Sequence, residues 1–103
     1  MKTVWNKQPK LKRLSKTVMR DYILWMTDNE PLCQICGVVG DDLHHLYYGC
    51  RGADKDDRYL LTVCRECHKH CHDNKHESQE KYDAIVKENW ENFNDSRSTH
   101  NGS

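Results

Sequence analysis

The feature that most constrains the fold of this chain is a duplicated cysteine pair. The two copies are Cys33-Gln-Ile-Cys36 and Cys64-Arg-Glu-Cys67. Four thiolates in two such pairs make a closed tetrahedral zinc site, which contributes folding free energy and leaves no position open for a substrate. A chain of 103 residues is near the lower limit for a self-sufficient hydrophobic core, so a structural zinc ion would compensate for the shortage.

Disulfide bonding is the alternative use of the six cysteines. The first twenty residues are rich in lysine and arginine and lack an apolar signal segment, which predicts a reducing, cytoplasmic setting. In that setting the pairs indicate metal ligands. Cys50 and Cys71 lie outside the pairs and are expected to be spare or buried thiols, with Cys71 the weaker candidate for exchange into a metal site. No segment approaches the roughly 18 apolar residues of a membrane span, so we expect a soluble protein without a membrane partner.

Helical periodicity flanks the cysteine region on both sides. Apolar residues recur at three- and four-residue steps from about Leu11 to Thr27, and again from about Ser78 to Phe93. The polar sequence beyond Asn94 predicts a frayed tail. The expected organisation is a basic arm and helix over residues 1–30, a zinc-containing core over 31–76, a carboxy-terminal helix over 77–93 and a disordered tail over 94–103.

A formal net charge of zero conceals a strongly basic amino-terminal segment. No acidic residue precedes Asp21. Such an arm suits a polyanion, because neutralised phosphates release counterions, although a solvated helix face has the same composition. Candidate contacts to a nucleic acid are Lys10, Lys12, Arg13, Lys16 and Arg20 in this arm, and Arg51, Lys55, Arg58, Arg65 and Lys69 near the centre.

Short segments are predicted between the two helices. Val38-Val39 can begin a strand that turns at Gly40 and returns through Leu43 to Tyr48. The run from Tyr59 to Val63 leads into the second cysteine pair, and a helix is expected to start near Cys64 or Cys67 and continue past His72.

Four histidines in this region are candidates for chemistry. His68 and His72 are four residues apart, so on a helix they share a face and can bind one divalent ion, although helical surface pairs have the same spacing. His44 and His45 are adjacent on the expected strand and point to different faces. One can therefore bind metal while the other, with an ordinary pKa near 6.5, takes a proton from water. A core or zinc-neighbour role for one of them is the structural alternative.

Taken together, these motifs resemble a known enzyme family. The order Cys33-x-x-Cys36, His44-His45-Leu46, then Cys64-x-x-Cys67-His68 and His72 is similar to the zinc-containing HNH endonucleases, over about Pro31 to Asn74. The resemblance implies an α+β fold with a small zinc-stabilised ββα-metal core, treble-clef-like, between flanking helices. It also implies a metal-dependent DNA endonuclease or nickase that hydrolyses phosphodiester bonds.

The resemblance assigns a role to each motif residue. His45 would be the general base, and His44, His68 and His72 would bind one catalytic divalent ion. Cys33, Cys36, Cys64 and Cys67 would hold structural zinc. The catalytic ion could be Mg²⁺, Mn²⁺, Ni²⁺ or Zn²⁺, since imidazole ligands accept several metals. DNA would be the partner, in a bacterium or bacteriophage setting, with monomer and homodimer both open.

One position departs from the family pattern. Tyr59 stands where the family usually has an asparagine that fixes the loop and orients the base. Asp56 or Asp57 could accept the same loop hydrogen bonds. The alternative function is therefore a noncatalytic zinc-binding module that binds nucleic acid on the same scaffold. A third reading places all the ligand residues in one interlocked zinc cluster without a substrate.

Overall fold

In the part of the chain that the computed structural model describes, three helices pack around a two-stranded antiparallel sheet, giving a small α+β fold. That part comprises residues 11–49 and 54–102, with side chains described up to Arg97. Lys10, Cys50 and Arg51, which the sequence analysis singled out, lie outside the described residues. In the described part of the chain, no helix has both the length and the apolar character that crossing a membrane requires.

Helix α1 spans Lys16–Asn29. It begins later than the expected start near Leu11, because Ser15 acts as its N-cap and accepts a hydrogen bond from the Val18 N–H at 3.2 Å. Residues 11–15 are not helical, and this segment contacts the loop before the second strand, where the Asp57 N–H donates to the Lys12 carbonyl at 2.8 Å. The apolar stripe faces inward as predicted, with Tyr22 and Met26 fully buried.

Strand β1 spans Asp42–His45 and pairs antiparallel with β2, Leu60–Val63. The pairing of β1 differs from the expectation that it would return against Val38-Val39. Val39 forms only an isolated bridge with Leu32. Every residue of β2 is buried, so this apolar strand provides a hydrophobic partner that the exposed Val38-Val39 dipeptide does not.

Helix α2 spans Arg65–Asp73, as expected for a helix starting near Cys64. Cys64 is its N-cap, and the Cys64 Sγ accepts a hydrogen bond from the Cys67 N–H. Helix α3 follows as Lys75–Gly102. It continues past Asn94, where a frayed tail was expected, and the Asn94 Nδ2 donates to the Trp90 carbonyl at 3.1 Å within the helix.

Helix α3 contributes to two hydrophobic clusters. Val86 packs with Leu61 and Val63 beneath the sheet, and Phe93 packs with Tyr22 and Met26 of α1. The rings of Tyr22 and Phe93 stack with centroids 4.7 Å apart. The predicted apolar face of the carboxy-terminal helix is confirmed, and through it α3 holds α1 and the sheet in fixed relation.

Candidate metal centres

The four cysteines of the duplicated pairs meet in one cluster. The Sγ atoms of Cys33, Cys36, Cys64 and Cys67 all lie within 4.8 Å of one another. Gly37 adopts a φ of 89°, which lets the chain turn tightly after Cys36. Four sulfur atoms so close together fit a structural metal such as zinc, as the sequence predicted.

Backbone amides favour the thiolate form in this cluster. The Cys36 N–H donates to the Cys33 Sγ and the Cys67 N–H donates to the Cys64 Sγ, each at 3.5 Å. Burial alone would raise the pKa of the Cys33 thiol, but hydrogen bonds from the backbone amides of Cys36 and Cys64 lower it to about 6. Burial and the neighbouring sulfurs raise the pKa of Cys67 instead. A divalent cation would allow all four to ionise together.

Three histidines form a second cluster on the neighbouring surface of β1 and α2. His44, His68 and His72 each contribute one ring nitrogen, and these three nitrogens lie within 4.8 Å of one another. His44 lies on the strand and is buried, whereas the other two lie one turn apart on α2 and are more accessible. The Nε2 atoms of His68 and His72 are 3.2 Å apart. The four-residue spacing of His68 and His72 on α2 therefore places their two imidazole rings next to each other.

Two polar side chains orient the helical imidazoles. The Asp42 Oδ2 lies 3.0 Å from the His68 Nδ1, and the Tyr48 hydroxyl lies 3.2 Å from the His72 Nδ1. With Nδ1 engaged on each ring, both Nε2 atoms are available on the side facing His44. Carboxylate and hydroxyl partners of this kind fix ring orientation at metal sites. The cluster can therefore hold a divalent ion.

The pKa of His44 supports the same conclusion. Burial, followed by the neighbouring imidazoles of His68 and His72, lowers the pKa of His44 to about 3. Burial also lowers the pKa of His72. Neutral imidazole is the form that binds metal, so His44 is in its ligand form at neutral pH.

His45 follows His44 on β1 and has a different partner. Its Nε2 lies 3.0 Å from the Asp57 Oδ1, in the loop before β2. Burial lowers the pKa of His45, while the Asp57 carboxylate opposes that shift. Asp57 itself is buried, and its Oδ2 accepts hydrogen bonds from the Arg13 Nε and the Leu14 N–H, each at 2.9 Å.

One cavity of about 330 Å³ brings His45 together with the three-histidine cluster. Lys55 also lines it and contributes a cationic side chain. The described residues that line the cavity are Leu43, His44, His45, Tyr48, Lys55, His68 and His72. All four histidines that the sequence analysis selected are therefore found at one cavity.

Comparison with known proteins identifies the family. A family model described as "Protein of unknown function (DUF968)" matches residues 3–98. The chain belongs to this family. No curated protein and no solved structure matches it. The DUF968 match spans both candidate metal centres and the flanking helices, so the family description covers nearly the whole chain without assigning it an activity.

The basic residues of this DUF968 chain differ in their surroundings. Arg58 is held by Asp56, with its Nη2 2.8 Å from the Asp56 Oδ2, and its guanidinium lies over the Tyr59 ring. Lys69 pairs with Asp73 one helical turn away. Among the described members of the predicted set, the exposed residues are Lys12, Arg13, Lys16, Arg20, Arg65 and Lys69.

Sequence reasoning missed the residues that support the histidines. Asp42 precedes His44 by two positions on β1 and so shares its face, a signal that strand periodicity offers. Tyr48 and Asp57 carry no such signal, because loop geometry brings them to His72 and His45. The sequence predicts Asp57 only as a possible acceptor of loop hydrogen bonds, whereas the structure also places it against His45.

Proposed function

We propose that this protein is a metal-dependent DNA endonuclease or nickase of the HNH type. The observation that carries the proposal is the shared cavity, where His45 stands beside a cluster of three imidazoles that can bind one divalent ion. The order β1, loop, β2 and α2 supports a ββα-metal, treble-clef-like assignment for this region. The cysteine cluster would hold structural zinc, and the histidine cluster would hold the second ion.

His45 is the general base in this proposal. It takes a proton from a water molecule, the water oxygen attacks phosphorus, and the bond from phosphorus to the 3′ oxygen breaks. The products are a 5′ phosphate and a 3′ hydroxyl. When bound, a divalent ion would supply stabilisation for the charge that develops on the phosphate and on the departing oxygen.

Lys55 supports phosphate binding at the same place. It lines the histidine cavity, where an ammonium group can contact a phosphate oxygen of the substrate. A contact of this kind positions the strand and carries little sequence information. The proposed site therefore predicts strong dependence on salt and weak dependence on base sequence.

A second cavity supports DNA binding alongside the histidines. It measures about 340 Å³ and lies along α1, with Arg13, Lys16 and Arg20 among its lining residues. Asp57 also lines this cavity and contacts His45, so the basic surface and the histidine cavity are adjacent. This basic surface could contact the backbone of a duplex whose scissile phosphate lies in the histidine cavity.

Relaxation of supercoiled plasmid with added divalent metal tests the proposal. We expect the native chain to nick the plasmid and His45→Ala to lose about 10²- to 10⁴-fold in rate, since general base catalysis contributes that much. The matched control is His70→Ala, an exposed histidine of α2 whose side chain lies near Asn74. Equal nicking by a folded His45→Ala variant would remove His45 as the base.

A noncatalytic zinc module that binds nucleic acid is the second candidate. Tyr59 favours it, since this residue occupies the place of the asparagine of the HNH endonucleases and its ring contacts Tyr47. This candidate predicts one tightly bound zinc per chain, retained DNA binding and no cleavage with any divalent metal. Gel-shift and nicking assays on one preparation distinguish the two.

A further inference from the structure

The Asp57 carboxylate contacts His45 beside the histidine cavity and is engaged on both of its oxygens. Its side chain is only 3% exposed. One oxygen, Oδ1, lies 3.0 Å from the His45 Nε2, and the other, Oδ2, accepts from the Arg13 Nε and the Leu14 N–H. A buried carboxylate with donors on both oxygens is held in one orientation.

The hydrogen-bonding capacity of the two groups fixes where the His45 proton lies. An ionised carboxylate only accepts hydrogen bonds, so the nitrogen that faces Asp57 must carry the hydrogen. Arg13 and Leu14 favour the ionised form, since both donate to the same oxygen. The neutral His45 ring is then protonated at Nε2 and has its basic lone pair at Nδ1.

We propose that Asp57 is a positioning residue of this site, which holds the His45 Nε2–H so that Nδ1 is the atom that takes the proton from water. This inference rests on the proposed nuclease function and deepens it. Asp57 does not touch the substrate in this scheme. It acts through the ring of His45, in the way that a carboxylate orients an imidazole base.

The segment before α1 belongs to the same arrangement. Residues Lys12, Arg13 and Leu14 each bond to Asp57, through the Lys12 carbonyl, the Arg13 Nε and the Leu14 N–H. A segment outside the nuclease-like core therefore holds the residue that orients the base. Its hydrogen bonds to Asp57 also connect the amino terminus of α1 to the loop before β2. This connection is a purely structural role, and a test must separate it from the orientation of His45.

The hydrogen on His45 can be observed without any substrate. We expect long-range ¹H–¹⁵N correlation spectra of the zinc-loaded protein to show His45 protonated at Nε2 with slow exchange of that proton. Asp57→Asn should speed the exchange, because one amide oxygen replaces two carboxylate oxygens that serve three donors. A wild-type His45 protonated at Nδ1 would overturn the inference directly, even if the variant failed to fold.

Kinetics test the role in the reaction. We expect Asp57→Asn to lower kcat for plasmid nicking by about 10- to 100-fold, the usual effect of losing an orienting partner, with KM unchanged. The matched control is Asp83→Asn. It makes the same change at a partly buried carboxylate of α3, which accepts a hydrogen bond from the Tyr47 hydroxyl. The control should leave both kcat and the His45 exchange unchanged.

The outcomes separate this inference from the proposed function. A wild-type chain that does not nick DNA overturns both. Nicking by the wild type with an unchanged kcat in folded Asp57→Asn overturns the positioning role alone. Nicking with a lowered kcat, an unchanged KM and faster exchange at His45 supports both.

Discussion

The cysteine cluster and the histidine cluster both use helix α2 but differ in what surrounds their ligand atoms. Cys33 and Cys64 are buried, and backbone amides donate to their sulfur atoms. His44 is equally buried, yet together with the other two imidazoles it lines a cavity that also reaches Lys55. Four sulfurs fill a tetrahedral shell, whereas three imidazoles leave positions open. The first arrangement suits structure, and the second suits a site where a ligand can enter.

The two clusters are also linked in one direction. Cys64 is the N-cap of α2, and α2 carries His68 and His72. The geometry of the histidine cluster therefore depends on the start of α2, where Cys64 of the cysteine cluster lies. Nothing comparable runs the other way, because the cysteine cluster needs no histidine among its ligands.

The largest effect is expected from Cys36→Ser, which should break both clusters. Loss of one thiolate removes zinc affinity that is also folding free energy, so the domain should unfold at ambient temperature. Circular dichroism melts and elemental analysis of bound zinc measure this.

The control for that prediction is Cys71→Ala, a buried cysteine in the hydrophobic core outside the metal cluster. It should keep its zinc and lose only about 1–2 kcal/mol of stability through reduced packing. A folded, zinc-free Cys36→Ser protein would show that the cysteine cluster is not what holds the fold.

An intermediate effect is expected from His72→Ala, which should separate the two clusters. It should abolish binding of the second metal while the first zinc and the melting temperature stay near wild type. Isothermal titration of zinc-loaded protein with Mn²⁺ or Ni²⁺ measures the second site, with His76→Ala, an exposed histidine of α3, as control. Loss of both metals in His72→Ala would contradict two independent sites and favour one interlocked cluster.

The smallest effect is expected from Asn89→Ala. This substitution tests whether contacts other than the metal stabilise the loop that carries Cys33 and Cys36. The Asn89 Nδ2 donates to the Gln34 Oε1 and to the Leu60 carbonyl, both at 2.9 Å, and so joins the first cysteine loop to β2. Removing this buried amide leaves its partners unsatisfied, at a cost of about 1–3 kcal/mol. Urea unfolding at saturating zinc measures the loss, and unchanged stability would assign the loop to metal alone.

Several parts of the fold could be predicted from the sequence because their causes are local. The apolar stripes that contain Tyr22 and Val86 mark helices, and the start of α2 near Cys64 follows from the cysteine pair. The pairing of β1 could not be predicted this way, since its partner Leu60–Val63 lies across a long loop. Periodicity within one segment does not reveal which distant segment completes the sheet.

The candidate site divides in the same manner. Spacing alone determined that His68 and His72 share a helix face, and residue type alone determined that the paired cysteines suit a metal. Only the tertiary structure decided that His44 joins the helical pair and that Asp57 faces His45. The physical reason is the distance along the chain between the residues that interact. Ligand spacing within a helix or a tight turn is fixed by local backbone geometry. The loop that contains Asp57 is instead held by contacts from residues 12–14, which are far away in the sequence.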